Sequence, residues 1–483
     1  MKRVGVMPRT IFGTTEKSNF ILNMKYETVR KWVGGLLCAA VFIVLIGSAV
    51  MNFTQRGNWA FGTFLYAAGF SCLLFYIALL MRKDIAFKEN PSVFLVIALA
   101  VLAFASYYGV VLSGASSDSI NTAMLGEIGR YEGLLSILSY FGIFLLAASA
   151  MRYSMVQRVL DFIVGAGVVS AFIAVMQHIP WGFPSKFRMV PALILLKNVH
   201  LSSGLSENPI VYGSFLTIVS GVALSGALYS KNITRARIYG GSAALFFLTG
   251  LFTSSIVPLI GMGTVLAITI IIELANKGGV QFEEGLLKSS RKRLAAIIAA
   301  YAVIFGLVFA FQGIYLRDKA IAFSDCYNNL FITYGPSLAD EDNLWVLGAK
   351  RSMIIIKEFP LLGVGPDRMA VYQKELDDLM IDGIDKSYNE YLFIAATRGI
   401  LSLIVYIALL AATVVRLFKG MRKFSSDREQ WFRAALLAAV LGYAVQAFFS
   451  MSAVTSAPYF WLLAGLAWSS FKDEQSGKSA KAK

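Results

Sequence analysis

Hydrophobic positions in this chain gather into long runs instead of alternating with polar ones. Apolar stretches recur from residue 33 to residue 471, separated by short polar and often basic connections. An apolar run of about 18 residues or more marks a helix crossing a bilayer. In hydrocarbon the backbone polar groups must bond within the segment, which a helix achieves. The pattern predicts an all-α, polytopic helical membrane protein with about twelve transmembrane helices. They fall at 33–53, 59–81, 91–113, 133–151, 159–177, 209–229, 238–254, 256–276, 293–312, 388–415, 433–453 and 456–471. The seventh and eighth are close enough to form a tight hairpin. Polar segments remain at 1–32, 313–387 and 472–483.

Composition agrees. Of 483 residues, 57% are hydrophobic and 15% charged, with a mean hydropathy of +0.65; a soluble domain carries about 25% charge. The net charge of +15 raises the question of nucleic acid. Its distribution answers it. Most of the basic residues fall in every second connection, counting from the N-terminus. Arg82 and Lys83, Arg152 and Arg158, Lys231, Arg235 and Arg237, Lys288 to Arg293, and Arg416 to Arg433 are examples. Basic loops stay on the cytoplasmic side. Both termini (1–32 and 472–483) are therefore expected to be cytoplasmic, and 313–387 to be a large extracytoplasmic loop between helices 9 and 10. It separates helices 1–9 (33–312) from helices 10–12 (388–471). The basic surplus is topogenic and meets anionic headgroups. It is spread over short loops and not gathered on one folded face, so no nucleic acid is expected.

The first apolar run follows about thirty polar and basic residues and is too long for a signal peptide, so it is expected to remain as helix 1. Cys38, Cys72 and Cys326 form no CxxC pair and no Cys/His cluster, and no metal site is expected. No internal repeat is visible. The sixth and seventh spans are joined by the short link Ser230–Arg237, unlike the long central loop of common twelve-helix transporters.

Candidate chemistry lies on the outer side of this topology. Lys350–Pro360 reads as an amphipathic helix ended by proline. Gly363, Gly365 and Pro366 then make a sharp turn beside Arg368. Such a turn is either an anion cradle of exposed amides or a simple helix-to-helix connection, and spacing favours the connection. Asp385, Lys386, Tyr388, Asn389 and Glu390 crowd the entrance of the tenth span. Arg398 follows within an otherwise apolar run. An ionisable residue inside a span is costly and marks function by default, although this one is near enough to the interface to snorkel. Arg130 and Glu132 open span four, and Glu207 and Asn208 open span six. Gln177, His178 and His200 lie at or after the end of span five.

These motifs resemble the O-antigen ligase and polymerase superfamily. Pro360-Leu-Leu-Gly-Val-Gly-Pro366 is similar to the family's proline–glycine turn. Asp385-Lys-Ser-Tyr-Asn-Glu-Tyr-Leu392 with Thr397-Arg-Gly-Ile400 is similar to its Asp-Arg-Ala-His-Asn-Glu-Tyr-Leu and Thr-Gly segment. Gly204-Leu-Ser-Glu-Asn-Pro209 and Gly129-Arg-Tyr-Glu-Gly-Leu-Leu135 are weaker matches. There are departures. Tyr388 stands where the family has histidine, Trp345 precedes Arg351, and Ser254-Ser255 lacks the family's arginine.

The resemblance implies a bacterial cytoplasmic-membrane glycosyltransferase acting on the outer face. It would move an undecaprenyl-diphosphate-linked oligosaccharide donor onto a glycan acceptor, without nucleotide or metal cofactor. Polysaccharide assembly proteins would be possible partners. Arginines suit the departing diphosphate. The implied substrate-binding residues are Arg351, Arg368, Arg130, Lys386 and Asn389, and the implied catalytic ones Tyr388, Glu390 and Arg398. A phenol with a pKa near 10 is a poor base, so Tyr388 would orient sugar while Glu390, Asp385 or His200 takes the proton. A lipid-linked oligosaccharide transporter and a noncatalytic scaffold of an envelope assembly system are the competing readings.

Overall fold

The computed structural model describes residues 26–54, 60–83, 85, 90–149, 153–178, 202–206, 208–275, 289–310, 317, 344–370, 386–422 and 427–469. Among these residues all regular structure is helical. The helices are α1 (Tyr26–Thr54), α2 (Ala60–Met81), α3 (Pro91–Leu112), α4 (Ser117–Leu125), α5 (Leu134–Ala148), α6 (Tyr153–His178) and α7 (Pro209–Tyr229). Then come α8 (Ile233–Phe252), α9 (Ile256–Ala275), α10 (Ser289–Ala310), α11 (Leu344–Glu358), α12 (Glu390–Arg422), α13 (Asp427–Gln446) and α14 (Ala457–Leu466).

Every apolar run read from the sequence is occupied by a helix. Eight of the helices, α1, α2, α3, α6, α7, α9, α10 and α12, are long and apolar enough to cross a membrane. The chain is a multi-pass membrane protein. Helices α5 and α14 are shorter apolar helices. The tight hairpin joins α8 to α9 through Thr253–Ser255, with Ser254 in the left-handed region at φ 53°. Helix α4 is not signalled by hydropathy. It is a polar helix whose N-cap, Ser116, accepts a bond from the Ser119 amide. The expected helix over 350–360 begins earlier, at Leu344. Of the segment 313–387, only α11, the turn after it and a few flanking residues are described. Residues 1–25 and 470–483, Cys326 and the candidates Asp385, His200 and Glu207 lie outside the described residues.

Helix α7 is the axis of the bundle. Nearly all its side chains are buried, and it packs on α8, α9 and α13. Small residues allow this close approach, as they do between membrane helices generally. A Cβ on Gly221 would stand 2.6 Å from the Ala439 backbone, and one on Gly226 2.8 Å from the Tyr239 ring. At the opposite extreme, α3 and α10 present broad apolar faces outward, including Phe94, Val101, Tyr108, Val303 and Leu307. That is the inverse of a soluble surface and fits a lipid surround.

The expectation of one unbroken helix over 388–415 needs correction. Helix α12 breaks at Gly399, whose φ of 84° and ψ of 163° lie outside helical space. On a straight helix Glu390 and Tyr406 would be roughly 24 Å apart, at 1.5 Å per residue. Their side chains are instead 2.7 Å apart. The nine residues before the break thus fold back against the helix that follows it.

The break leaves carbonyls without helical partners, and the proline–glycine turn supplies donors to them. The Val364 amide bonds to the Ala396 carbonyl and the Gly365 amide to that of Thr397, both at 3.0 Å. The Ile400 amide returns a bond to Pro360 at 2.8 Å. Ser106 of α3 also donates to the Thr397 carbonyl. These pairings remove the anion-cradle reading of the turn, since its amides are spent on the protein's own carbonyls. They match the simpler reading of a connection.

A Cβ at position 399 would run into the Leu361 carbonyl, and the backbone angles there suit glycine alone. Gly399→Ala is expected to destabilise the protein by at least about 1–3 kcal/mol. The measurement is a lowered thermal midpoint of the detergent-solubilised variant; an unchanged midpoint would refute the account of the break.

Candidate functional site

At one end of the bundle, the break in α12, the start of α5 and the loop before α14 meet around a pocket. Its polar lining includes Glu132, Asp367, Glu390, Arg398, Tyr406 and Ser452. Leu99, Ile137, Phe141, Phe393, Ile394 and Trp461 give it apolar walls.

Glu390 is set by its helix start. Asn389 is the N-cap, its side-chain oxygen accepting from the Leu392 amide at 3.0 Å. The Glu390 amide is one of the orphan donors of a first turn. It bonds to the Ala447 carbonyl, just past the end of α13, at 2.9 Å. The carboxylate is buried, and each oxygen accepts one phenol: Oε1 from Tyr406 at 2.7 Å and Oε2 from Tyr443 at 2.6 Å. Arg398 is half-buried two turns along the same short helix, within electrostatic reach of both Glu390 and Glu132.

Glu132 is the second carboxylate. Its partner is Lys386, whose Nζ lies 2.7 Å from Oε2 and also donates to the Ser452 carbonyl at 3.0 Å. Both side chains are at least 95% buried. Burial pushes the Glu132 carboxyl up, and the Lys386 ammonium pulls it partly back. Lys386 also lies over the Phe393 ring, 5.8 Å from its centroid.

Asp367 is the third acid. It sits in the left-handed region at φ 53°, which aspartate tolerates. Its Oδ2 accepts from the amides of Glu127 and Glu132, at 2.8 and 3.3 Å. Its Oδ1 is 3.4 Å from Arg130. The glycine turn is thereby latched onto the loop leading into α5.

The eight residues singled out from the sequence now separate. Glu390 and Arg398 line the pocket. Lys386 and Arg130 stand behind it, each paired with an acid that lines it. Arg368 is buried and donates from Nη1 to the Val364 carbonyl, bracing its own turn. Asn389 caps a helix. Tyr388 is half-buried at φ 48°, its ring 5.8 Å from that of Trp345 and packed beside Val211, Met451 and Ala453. Arg351 is half-buried on α11, and the described pocket lining does not include it. Gln177, at the end of α6, holds the 203–204 backbone, accepting from both amides and donating to the Gly204 carbonyl.

Sequence reading missed Tyr406, Tyr443 and Asp367, and noticed Glu132 only as an interface residue. A phenol deep in an apolar run needs a partner for its hydroxyl, a signal that was available in the sequence at both tyrosines and was not used. No family model matches this chain, and a search of curated proteins found no match.

Proposed function

We propose that this chain is a membrane glycan polymerase or ligase of the O-antigen type, with polymerase favoured. It transfers an undecaprenyl-diphosphate-linked oligosaccharide to a sugar hydroxyl at the outer face of a bacterial cytoplasmic membrane. On the twelve-span reading with both termini inside, the pocket would lie on that face. The observation carrying this reading is that Glu390 and Arg398 line one pocket, at the junction of the two most specific family-like motifs.

The division of labour follows from chemistry. The acceptor oxygen bonds to the anomeric carbon while the bond from that carbon to the diphosphate oxygen breaks. The acceptor proton passes to Glu390, which still has unshared lone pairs beside its two phenol bonds. Arg398 faces the growing negative charge of the departing diphosphate. Lys386, Arg130 and Arg368 hold the pocket's acids and turn in place; their part in diphosphate binding is indirect. Tyr388, in place of the family's histidine, orients sugar or packs the entrance.

The test is the size distribution of lipid-linked and surface glycan in a strain lacking the protein. Single lipid-linked units that accumulate, with long chains lost, identify a polymerase. Long chains stranded on the lipid carrier identify a ligase. Unchanged pools return the choice to a transporter or an assembly scaffold. In the complemented strain Glu390→Gln is expected to cut transfer by about 10²–10⁴-fold, at normal protein level. Full complementation by that variant would remove Glu390 as the base.

A further inference from the structure

We propose that Tyr406 and Tyr443 are positioning residues that fix the Glu390 carboxylate for proton transfer; this rests on the transferase reading above. The geometry is specific to one group. Tyr406 comes from the helix after the break and Tyr443 from α13, and they donate to different oxygens of one carboxylate, at 2.7 and 2.6 Å. Charge-assisted bonds of this kind are the shorter and stronger class. Held at both oxygens, the carboxylate has a defined plane at the pocket that Glu390 lines.

The donors are themselves held by their rings. Tyr443 stacks on Phe460 with centroids 4.3 Å apart and 21° between planes. Tyr406 packs near Tyr391 and Trp461, at 6.1 and 6.0 Å. A third tyrosine locks the same junction from outside the pair, since the Tyr391 hydroxyl donates to the Ala444 carbonyl at 2.6 Å. Ring packing and hydroxyl donation are therefore separable at both positions. Phenylalanine keeps the first and removes the second.

A role confined to ring packing predicts that phenylalanine is tolerated, and a structural role of the hydroxyl bonds predicts a loss of thermal stability with the surviving protein fully active. A positioning role predicts a loss in kcat with KM retained, because the acceptor and donor still bind while the base is misaligned. The experiment uses purified full-length protein in detergent with a lipid-linked oligosaccharide donor. Tyr443→Phe and Tyr406→Phe are each expected to lower kcat about tenfold or more, with KM within about twofold. Thermal midpoints are measured alongside. The infrared carboxylate stretch assigned to Glu390, by its loss in Glu390→Gln, is expected to shift in both phenylalanine variants. Full kcat in both variants, against an active wild type, overturns the positioning role and leaves the transferase reading standing. No turnover by the wild type overturns both. A kcat loss matched by an equal fall in thermal stability, with the infrared band unmoved, also overturns it.

Discussion

If the proposed transfer is this chain's reaction, Arg398→Ala is expected to slow it by about 10²–10³-fold, the usual loss when one preorganised charge-stabilising group is removed. The physical reason lies in the pocket's charge balance. Glu132 is matched by Lys386 at 2.7 Å, and Asp367 by Arg130 at 3.4 Å. Arg398 and Glu390 remain as the lining pair not bound to each other by a direct salt bridge among the described residues, and the tyrosines hold Glu390. Under the proposed transferase reading, a diphosphate entering the pocket would meet Arg398 as the cation among its described lining residues. Arg398→Lys should recover only part of the rate, because an ammonium lacks the planar fork that matches phosphate oxygens. The readout is turnover of lipid-linked donor by purified protein, with membrane abundance and thermal midpoint as controls. Wild-type turnover in Arg398→Ala would remove this residue from the mechanism.

Lys386→Met carries the largest expected effect on stability. Breaking a buried ion pair strands the other charge, at a cost of about 3–5 kcal/mol. Here the stranded group would be Glu132, whose side chain is 5% exposed. Loss of the Lys386 bond to Ser452 would also loosen the loop before α14. The double variant Glu132→Leu with Lys386→Met should recover most of the stability, since well-packed apolar residues often replace a buried pair at little cost. Thermal midpoints of the singles and the double form a cycle that measures the coupling. Additive effects would show that the pair is not a unit.

The two variants also separate two uses of a cation at this site. Lys386 faces an acid and a carbonyl of its own chain, so its loss is read first in folding. Arg398 lines a cavity, so its loss is read first in rate. Sequence counted both among the outer-side cations, with Arg398 expected to be catalytic and Lys386 to bind substrate. Only their contacts distinguish them.

Helix positions were legible because lipid imposes a simple rule. A long apolar run must satisfy its own backbone, so hydropathy alone located α2, α3, α7, α9 and α10 to within a few residues, and α1 and α6 apart from polar first turns that begin earlier, at Tyr26 and Tyr153. The motif at 385–392 drew attention to Glu390, and a charge inside an apolar run drew attention to Arg398. Hydropathy could not register the break at Gly399, because glycine is common in membrane helices and scores as neutral. Nor could it pair Glu390 with Tyr406, 16 positions away, or with Tyr443, 53 away. A continuous helix puts the first pair out of reach, and sequence distance says nothing of the second.

The sequence by itself determined a multi-pass helical membrane protein, its polar connections and two residues of the pocket. These follow from local rules: run length, charge placement and the cost of burying a charge. The tertiary structure decided which cations are spent on neighbouring acids, which amides of the proline–glycine turn are consumed, and which tyrosines hold the carboxylate. Those outcomes depend on a backbone reversal at one glycine and on helices packed from distant parts of the chain. No local pattern encodes such contacts, because each partner alone satisfies its own helix.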